Sequence, residues 1–132
     1  HQFSTDTAYR TEWKQKFGAL VPELNVLVNN AAVQLLGGTD ELALDDWNHT
    51  MAVNLTGPML LSQHFLDQLE ETHGCIINIG SIHQQLTKRR FVSYATSKSA
   101  LIGLTKAMAV DLEGRVRVNA ISPAAIETDM LL

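Results

Sequence analysis

Short apolar runs alternate with long helical patterns along this sequence. The apolar runs cover residues 24–29, 75–79 and 116–121, and their lengths and turn-forming neighbours are typical of strands. Apolar residues recur every three or four positions over residues 40–71 and 94–113, as they do on one face of a helix. Strands that alternate with helices form a parallel sheet through right-handed crossovers. We therefore expect an α/β fold with a doubly wound parallel sheet, whose three strands are buried on both faces.

The second helical pattern has recognisable ends. Ser93 stands where an N-cap is expected, and Gly114 follows the last apolar position as a stop signal. Ligands of such sheets bind beyond the carboxyl ends of the strands. A site is therefore expected near Asn29-Asn30, Gly80-Ser81 and Ser122-Pro123.

Composition narrows the class of protein. The 132 residues, 45% of them hydrophobic, suffice for one domain, and a net charge of -4 offers no basic surface for nucleic acid or an anionic membrane. No apolar stretch approaches the roughly 18 residues of a membrane span. The single cysteine, Cys75, lies inside an apolar run, which is typical of a cytoplasmic protein, and the five histidines lack the spacing of metal ligands. We expect a cytoplasmic protein without a metal site.

Three residues carry the candidate chemistry. Tyr94 and Lys98 stand four positions apart, so a helix places them on one face, where the ammonium favours the phenolate. Ser81 follows the second strand and could hold the oxygen to which Tyr94 gives a proton. A tyrosine and a lysine at this spacing are common on solvated helices, and an isolated serine after Gly80 usually only starts a turn.

Five motifs together resemble the short-chain dehydrogenase/reductase family, over roughly residues 24–130. In family order, they are Asn29-Asn30-Ala31-Ala32, Val53-Asn54-Leu55, Asn78-Ile79-Gly80-Ser81, Tyr94-x-x-x-Lys98, and Asn119-Ala120-Ile121-Ser122-Pro123 continuing through Ile126-Glu127-Thr128-Asp129-Met130. The resemblance implies a Rossmann-like sheet. It also implies transfer of a hydride between NAD or NADP and a carbonyl or alcohol substrate.

The resemblance implies a role for each catalytic residue. Tyr94 would be the general acid and base, Lys98 would favour its phenolate and bind the nicotinamide ribose, and Ser81 would orient the substrate oxygen. Asn54 would help to hold a water in a proton relay to Lys98. The sequence adds a physical reason, because Pro58 has no N–H and so leaves the Asn54 carbonyl without its helical partner.

The resemblance also implies two groups of cofactor contacts. Tyr94 and Lys98 would contact the cofactor at its nicotinamide end. The adenosine-ribose side would be lined by Asn30, Ala31 and Ala32. The nicotinamide would be covered by Pro123, Ala124, Ile126 and Thr128. The family usually has glycine where Ala32 and Ala124 stand, and a methyl group there could crowd the backbone near the cofactor. We expect local adjustment there.

Parts of the family pattern are absent from these residues. None of the eight glycines forms the glycine-rich pyrophosphate loop, and the sequence stops before the family's substrate-covering helices. We therefore expect residues 1–132 to be one partial NAD(P)-binding domain, with residues 1–6 as the tail of a preceding strand. As a truncated chain it should bind cofactor weakly or not at all, with its first strand exposed at the sheet edge.

Alternatives to an active oxidoreductase stay open. One is a catalytically incompetent fragment or pseudoenzyme without dinucleotide binding, and another is a nucleoside- or sugar-binding module that does not use the Tyr94 hydroxyl. Residues 88–90, Lys-Arg-Arg, could attract an anionic substrate but are also typical of a solvated loop. We expect a small carbonyl or alcohol as partner, no nucleic acid or membrane, and a homodimer or homotetramer of the parent protein, since small residues on the second helix permit close packing.

Overall fold

The computed structural model describes residues 1–124, and its centre is a three-stranded parallel sheet. The strands are β1 (Val26–Asn29), β2 (Cys75–Ile79) and β3 (Arg117–Ile121), in the order β1-β2-β3. Asn29 pairs with Asn78, and Ile79 pairs with Ile121. The α/β class and the parallel sheet predicted from the sequence are confirmed, although β1 and β3 begin slightly later than the apolar runs.

The segment between β1 and β2 is helical but interrupted. It comprises α3 (Leu44–Met51), a π-helical turn (Ala52–Thr56), α4 (Gly57–His64) and α5 (Leu66–Glu71), where a helix over residues 40–71 was predicted. The Gly57 N–H donates to the Ala52 carbonyl, five residues back. Because Pro58 has no N–H, the regular hydrogen-bond ladder cannot run through this point. The wider turn places Asn54 in the interior.

The helix before β3, α6, spans Val92–Asp111. Phe91 stands at its N-cap, so the expectation of Ser93 as N-cap is wrong. Ser93 is fully buried in the first turn, where its hydroxyl contacts the segment after β1 rather than the helix end. Gly114, with φ of 78°, lies in the turn that leads to β3, a conformation that favours glycine.

The N-terminal residues form helices α1 (Gln2–Thr5) and α2 (Thr7–Leu20), so the prediction that residues 1–6 end a strand is wrong. The Asp6 carboxylate accepts a hydrogen bond from the Tyr9 N–H and caps α2. Phe3 and Trp13 then meet edge to face, with their ring centroids 4.9 Å apart. These contacts stabilise α1 and α2. The sequence of this short polar segment contains no strand pattern.

The core lies on one side of the sheet. Its members are Phe65, Leu69, Ile76, Leu112, Val116 and Val118. Val26, Val28 and Ile121 point to the other side and are 46%, 51% and 54% exposed. The prediction that all strands are buried on both faces is therefore wrong for β1 and β3. Because the strand order does not reverse, two right-handed crossovers place their helices on the same face, and no helix between described strands covers the other.

No helix within residues 1–124 is both long enough and apolar enough to cross a membrane.

Candidate active site

Ser81, Tyr94 and Lys98 lie at the carboxyl edge of the sheet. Ser81 follows β2, while Tyr94 and Lys98 are one turn apart on α6, and all three are buried. The Lys98 Nζ donates to the carbonyl of Ile79, at 2.7 Å, and lies 5.9 Å from the centroid of the Tyr94 ring. The lysine therefore joins the tyrosine-bearing helix to the strand end that precedes Ser81.

The Ser81 hydroxyl already has one protein partner. Its oxygen accepts a hydrogen bond from the backbone N–H of His83, at 3.2 Å. This contact uses a lone pair of the oxygen and leaves the hydroxyl proton free to be donated. Ser81 can thus act as a donor to an oxygen atom of a ligand.

Gly80 permits close packing beside Ser81. A Cβ atom on Gly80 would lie 2.9 Å from the Ser122 hydroxyl and 3.0 Å from the Gln84 side-chain oxygen. Ser122 itself donates to that Gln84 oxygen, at 2.9 Å. Larger residues at position 80 would push the segment after β3 away from the segment after β2.

Burial sets the charge state of Lys98. The side chain is only 3% exposed, and desolvation lowers its pKa from 10.5 to about 8. Near neutral pH the ammonium is still the main form, but its proton is held less tightly than that of a solvated lysine. A lysine in this state can both bind hydroxyl groups and exchange a proton.

We expect Lys98 in the complete protein to titrate near pH 8, which NMR of its side-chain Cε can measure. The folded state releases this proton before the unfolded state does, so the free energy of unfolding should rise with pH between about 8 and 10.5. Lys98→Met should abolish this rise. Lys106→Met, which removes an exposed lysine of the same helix, should preserve it, and a rise of equal size in both variants would contradict the assignment.

Asn54 connects three parts of the site through its buried side chain. Its Oδ1 accepts from the Val33 N–H at 2.8 Å, and its Nδ2 donates to the Val33 carbonyl at 2.9 Å and to the Ser97 hydroxyl at 3.0 Å. The amide is therefore fully engaged in holding the segment after β1 against α6. Any water bound by Asn54 must use its backbone carbonyl, which the proline at position 58 leaves without a regular helical donor.

Sequence reasoning missed two serines that support the same segment. Ser97 bonds to Asn54 and to the Tyr94 carbonyl, at 2.8 Å, and the Ser93 hydroxyl donates to the Leu35 carbonyl at 3.2 Å. Both serines are fully buried. The signal that could have found them is a pair of small polar residues four positions apart on a helix, at positions that face the interior.

A second polar network crosses the sheet. The Asn29 Nδ2 donates to the Asn78 Oδ1 at 2.8 Å, and the Asn78 Nδ2 donates to the Thr105 hydroxyl at 2.9 Å. Asn78 and Asn29 are neighbours in the strand pairing. The Asn29 Oδ1 is buried without a partner among the described residues. The sequence motifs contained both asparagines, but their spacing did not show that they meet.

A hollow of about 270 Å³ lies beside the end of β1, away from Tyr94. Asn29, Asn30 and Ala31 line it together with Val53, whereas Ala32 does not. Much of the remaining wall is apolar and comes from the two N-terminal helices and α4. Of the residues expected around a cofactor, Asn30 and Ala31 therefore lie together at this hollow.

The other expected cofactor residues follow β3. The Pro123 carbonyl accepts from the Ile82 N–H at 3.2 Å, which places Pro123 beside the segment that carries Ser81, and Ala124 is exposed. Ile126 and Thr128 lie outside the described residues. Within residues 1–124, no cluster of three or more His, Cys, Asp or Glu side chains could hold a metal ion.

Comparisons with known proteins identify similar sequences. The family model described as short chain dehydrogenase matches residues 2–132. The 3-oxoacyl-[acyl-carrier-protein] reductase of Aquifex aeolicus is 40% identical over 113 residues, which are 84% of this chain and 46% of that protein.

Two solved structures extend the comparison. A short-chain dehydrogenase/reductase from Serratia marcescens is 40% identical with a TM-score of 0.85, over 96% of this chain and 52% of its own. A gluconate 5-dehydrogenase from Burkholderia cenocepacia, in complex with NADP and tartrate, is 33% identical with a TM-score of 0.81, over 89% of this chain and 47% of its own. The chain thus spans about half the length of these relatives.

Proposed function

The chain belongs to the short-chain dehydrogenase family, and from this premise we propose that the whole protein is an NAD(P)-dependent oxidoreductase that interconverts a carbonyl and an alcohol. The observation that carries the proposal is the meeting of Ser81, Tyr94 and Lys98 at the carboxyl edge of the sheet. A nicotinamide cofactor, when bound, would supply or accept the hydride.

Each side chain has a separate task in the proposed reaction. The Tyr94 hydroxyl donates a proton to the carbonyl oxygen in reduction and takes it back in oxidation. The Lys98 ammonium, held by the Ile79 carbonyl, favours the phenolate that remains. Ser81 donates its free hydroxyl proton to the same substrate oxygen, because its own oxygen already accepts from His83. The Asn54 carbonyl and a bound water would return a proton through Lys98.

The hollow beside β1 fits the adenosine half of the cofactor. Asn29 lines the hollow, and its buried Oδ1 has no partner among residues 1–124, so it is an acceptor that a donor of the bound adenosine could satisfy. Asn30 and Ala31 would contact the ribose there. On the substrate side, Lys98 would bind the nicotinamide ribose, and the segment from Pro123 through Ala124, Ile126 and Thr128 would cover the nicotinamide.

A hydride-transfer assay of the complete protein tests the proposal. With NAD⁺ or NADP⁺ and a panel of neutral primary and secondary alcohols, reduced cofactor should accumulate in at least one combination. Ser81→Ala should lower kcat about a hundredfold, as expected for the loss of one donor to a charged oxygen. Thr96→Ala, on the exposed side of α6, is the matched control and should keep full activity. Equal activities of the two variants would contradict the role of Ser81.

A second candidate stays open. These 132 residues contain no glycine-rich loop for the pyrophosphate, so a protein without such a loop elsewhere would be a pseudoenzyme that keeps the catalytic side chains. Titration of the complete protein with NAD⁺ and NADP⁺ separates the two candidates. An oxidoreductase binds at least one of the cofactors, whereas the pseudoenzyme binds neither.

The parent protein is also proposed to be a homodimer or homotetramer. Ser99, Gly103 and Ala107 recur at four-residue intervals on the exposed side of α6, and a Cβ on Gly103 would meet no atom within 4 Å. This flat strip would let a second helix approach closely. The oligomeric state stays a prediction.

A further inference from the structure

The loop between β2 and α6 forms a wall beside the catalytic tyrosine. His83 and Phe91 stack with ring centroids 4.5 Å apart, and both meet the Tyr94 ring edge to face, at 5.9 and 6.0 Å. Phe91 is only 8% exposed. The three rings therefore form one packed unit, so any group fixed to Phe91 or His83 has a defined position relative to Tyr94.

The positively charged Lys88 contacts this unit of three rings. Its Nζ lies over the face of the Phe91 ring, 4.9 Å from the centroid, in a cation–π contact. No carboxylate among residues 1–124 forms an ion pair with it. Its positive charge is thus held at the wall of the site without a neutralising partner from the described part of the chain.

The neighbouring Arg90 differs from Lys88, because a carboxylate already pairs with its guanidinium. Its guanidinium forms an ion pair with Glu41, and its carbonyl accepts from the Gly37 N–H at 2.8 Å. Arg90 also adopts a φ of 67°, which is uncommon for a residue with a side chain. These ties hold the turn that presents Lys88, so the position of the lysine depends on more than its own flexible side chain.

His83 adds no second charge to the wall. Burial and the nearby Lys88 both lower the pKa of His83 below its usual value, which favours the uncharged ring. Neither ring nitrogen has a hydrogen-bond partner in the described residues, and Nδ1 is shielded from solvent. Among the loop residues that pack beside Tyr94, the Lys88 cation therefore stands against uncharged rings.

We propose that the substrate of this site carries an anionic group, and that Lys88 binds this group while Ser81 and Tyr94 act on the carbonyl or hydroxyl. The inference rests on the proposed oxidoreductase function and names its substrate class as oxo acids and hydroxy acids. The anionic group of such a substrate would meet Lys88, which has no ion-pair partner among residues 1–124, and its carbonyl would extend along the wall toward Tyr94. Of the two interpretations of residues 88–90, attraction of an anionic substrate then applies to Lys88. Arg90 instead pairs with Glu41.

The test compares matched acids and amides in the complete protein. The probes are straight-chain methyl-ketone carboxylates with different numbers of methylene groups between the carbonyl and the carboxylate, and the corresponding primary amides, each with NADH and NADPH. For the best-fitting chain length, kcat/KM should favour the acid by roughly three- to tenfold, the range expected for one partly exposed ion pair. The preference should lie mainly in KM and should shrink at high salt.

Variants of Lys88 identify the group responsible. Lys88→Gln should remove the preference for the acid, Lys88→Glu should reverse it, and Lys88→Arg should retain it. Arg89→Gln, which removes the adjacent exposed cation, is the control and should change the ratio little. Arg89→Gln should also keep wild-type kcat/KM on the amide.

The outcomes separate this inference from the proposed function. An equal preference for acid and amide in the wild type, or an unchanged ratio in Lys88→Gln, would overturn the role of Lys88. Oxidation of neutral alcohols without reduction of any oxo acid would also overturn it while the oxidoreductase function stands. If neither neutral alcohols nor oxo acids react with either cofactor, both proposals fail.

Discussion

Tyr94→Phe in the complete protein is expected to lower kcat by about 10²- to 10⁴-fold while cofactor affinity stays nearly unchanged. The range is that of a single general acid and base. The substitution removes only the hydroxyl, so the ring can keep its edge-to-face contacts with His83 and Phe91. Stopped-flow measurement of hydride transfer gives the rate, and calorimetric titration gives the affinity for NAD(H) or NADP(H).

Lys98→Ala is the comparison for this prediction. Removing the lysine takes away both the cation beside Tyr94 and the proposed ribose contact, so turnover and cofactor affinity should fall together. Equal and mild effects of the two substitutions would contradict the roles proposed for both. Full activity of Tyr94→Phe would contradict the role of the phenol, whereas a lack of hydride transfer in both the wild type and Tyr94→Phe would favour a nucleoside- or sugar-binding module.

Asn54→Ala is expected to lower the free energy of unfolding by about 2–4 kcal/mol. The side chain is 1% exposed, and its loss would leave the Val33 N–H and the Val33 carbonyl without their side-chain partner. The Ser97 hydroxyl would keep only its bond to the Tyr94 carbonyl. Each buried polar group left unpaired costs about 1–3 kcal/mol, partly offset where water enters. Urea unfolding of the complete protein measures the change.

Asn48→Ala provides the matched control for Asn54. Asn48 is exposed on α3 and makes no side-chain hydrogen bond in the described residues, so its removal should change stability by less than about 0.5 kcal/mol. Asn54→Ala keeps the backbone carbonyl that the proposed proton relay uses. The variant should therefore retain hydride-transfer activity at low temperature, where it stays folded. Similar stabilities of the two variants would contradict the structural role of the Asn54 amide.

The sequence predicted those features that repeat along the chain. Alternating strand and helix patterns predicted the parallel sheet, and the carboxyl end of the second strand then indicated Ser81. Tyr94 and Lys98 were indicated by their four-residue spacing and by the family resemblance. Features that depend on contacts between distant segments were missed. Ser93 has the chemistry of a helix cap, and only tertiary structure shows that its hydroxyl serves the Leu35 carbonyl instead.

The same distinction explains the errors of the fold prediction. A run such as Val26–Asn29 has the composition of a strand buried on both sides, but burial depends on where the crossover helices lie. Both helices lie on one side because β1, β2 and β3 follow one another without a reversal. Likewise, the helix cap at Asp6 and the aromatic pair of Phe3 and Trp13 are contacts that strand periodicity does not report.

The buried amides of Asn29 and Asn78 have a consequence for misfolding. Parallel strands of apolar residues can pair one position out of step at little cost in hydrophobic contact, but such a shift would turn side chains to the opposite face. A shift of β1 against β2 would separate Asn29 from Asn78 and break the hydrogen bond between their buried amides. The two asparagines therefore favour the native register over a shifted one, because the shifted sheet loses this bond.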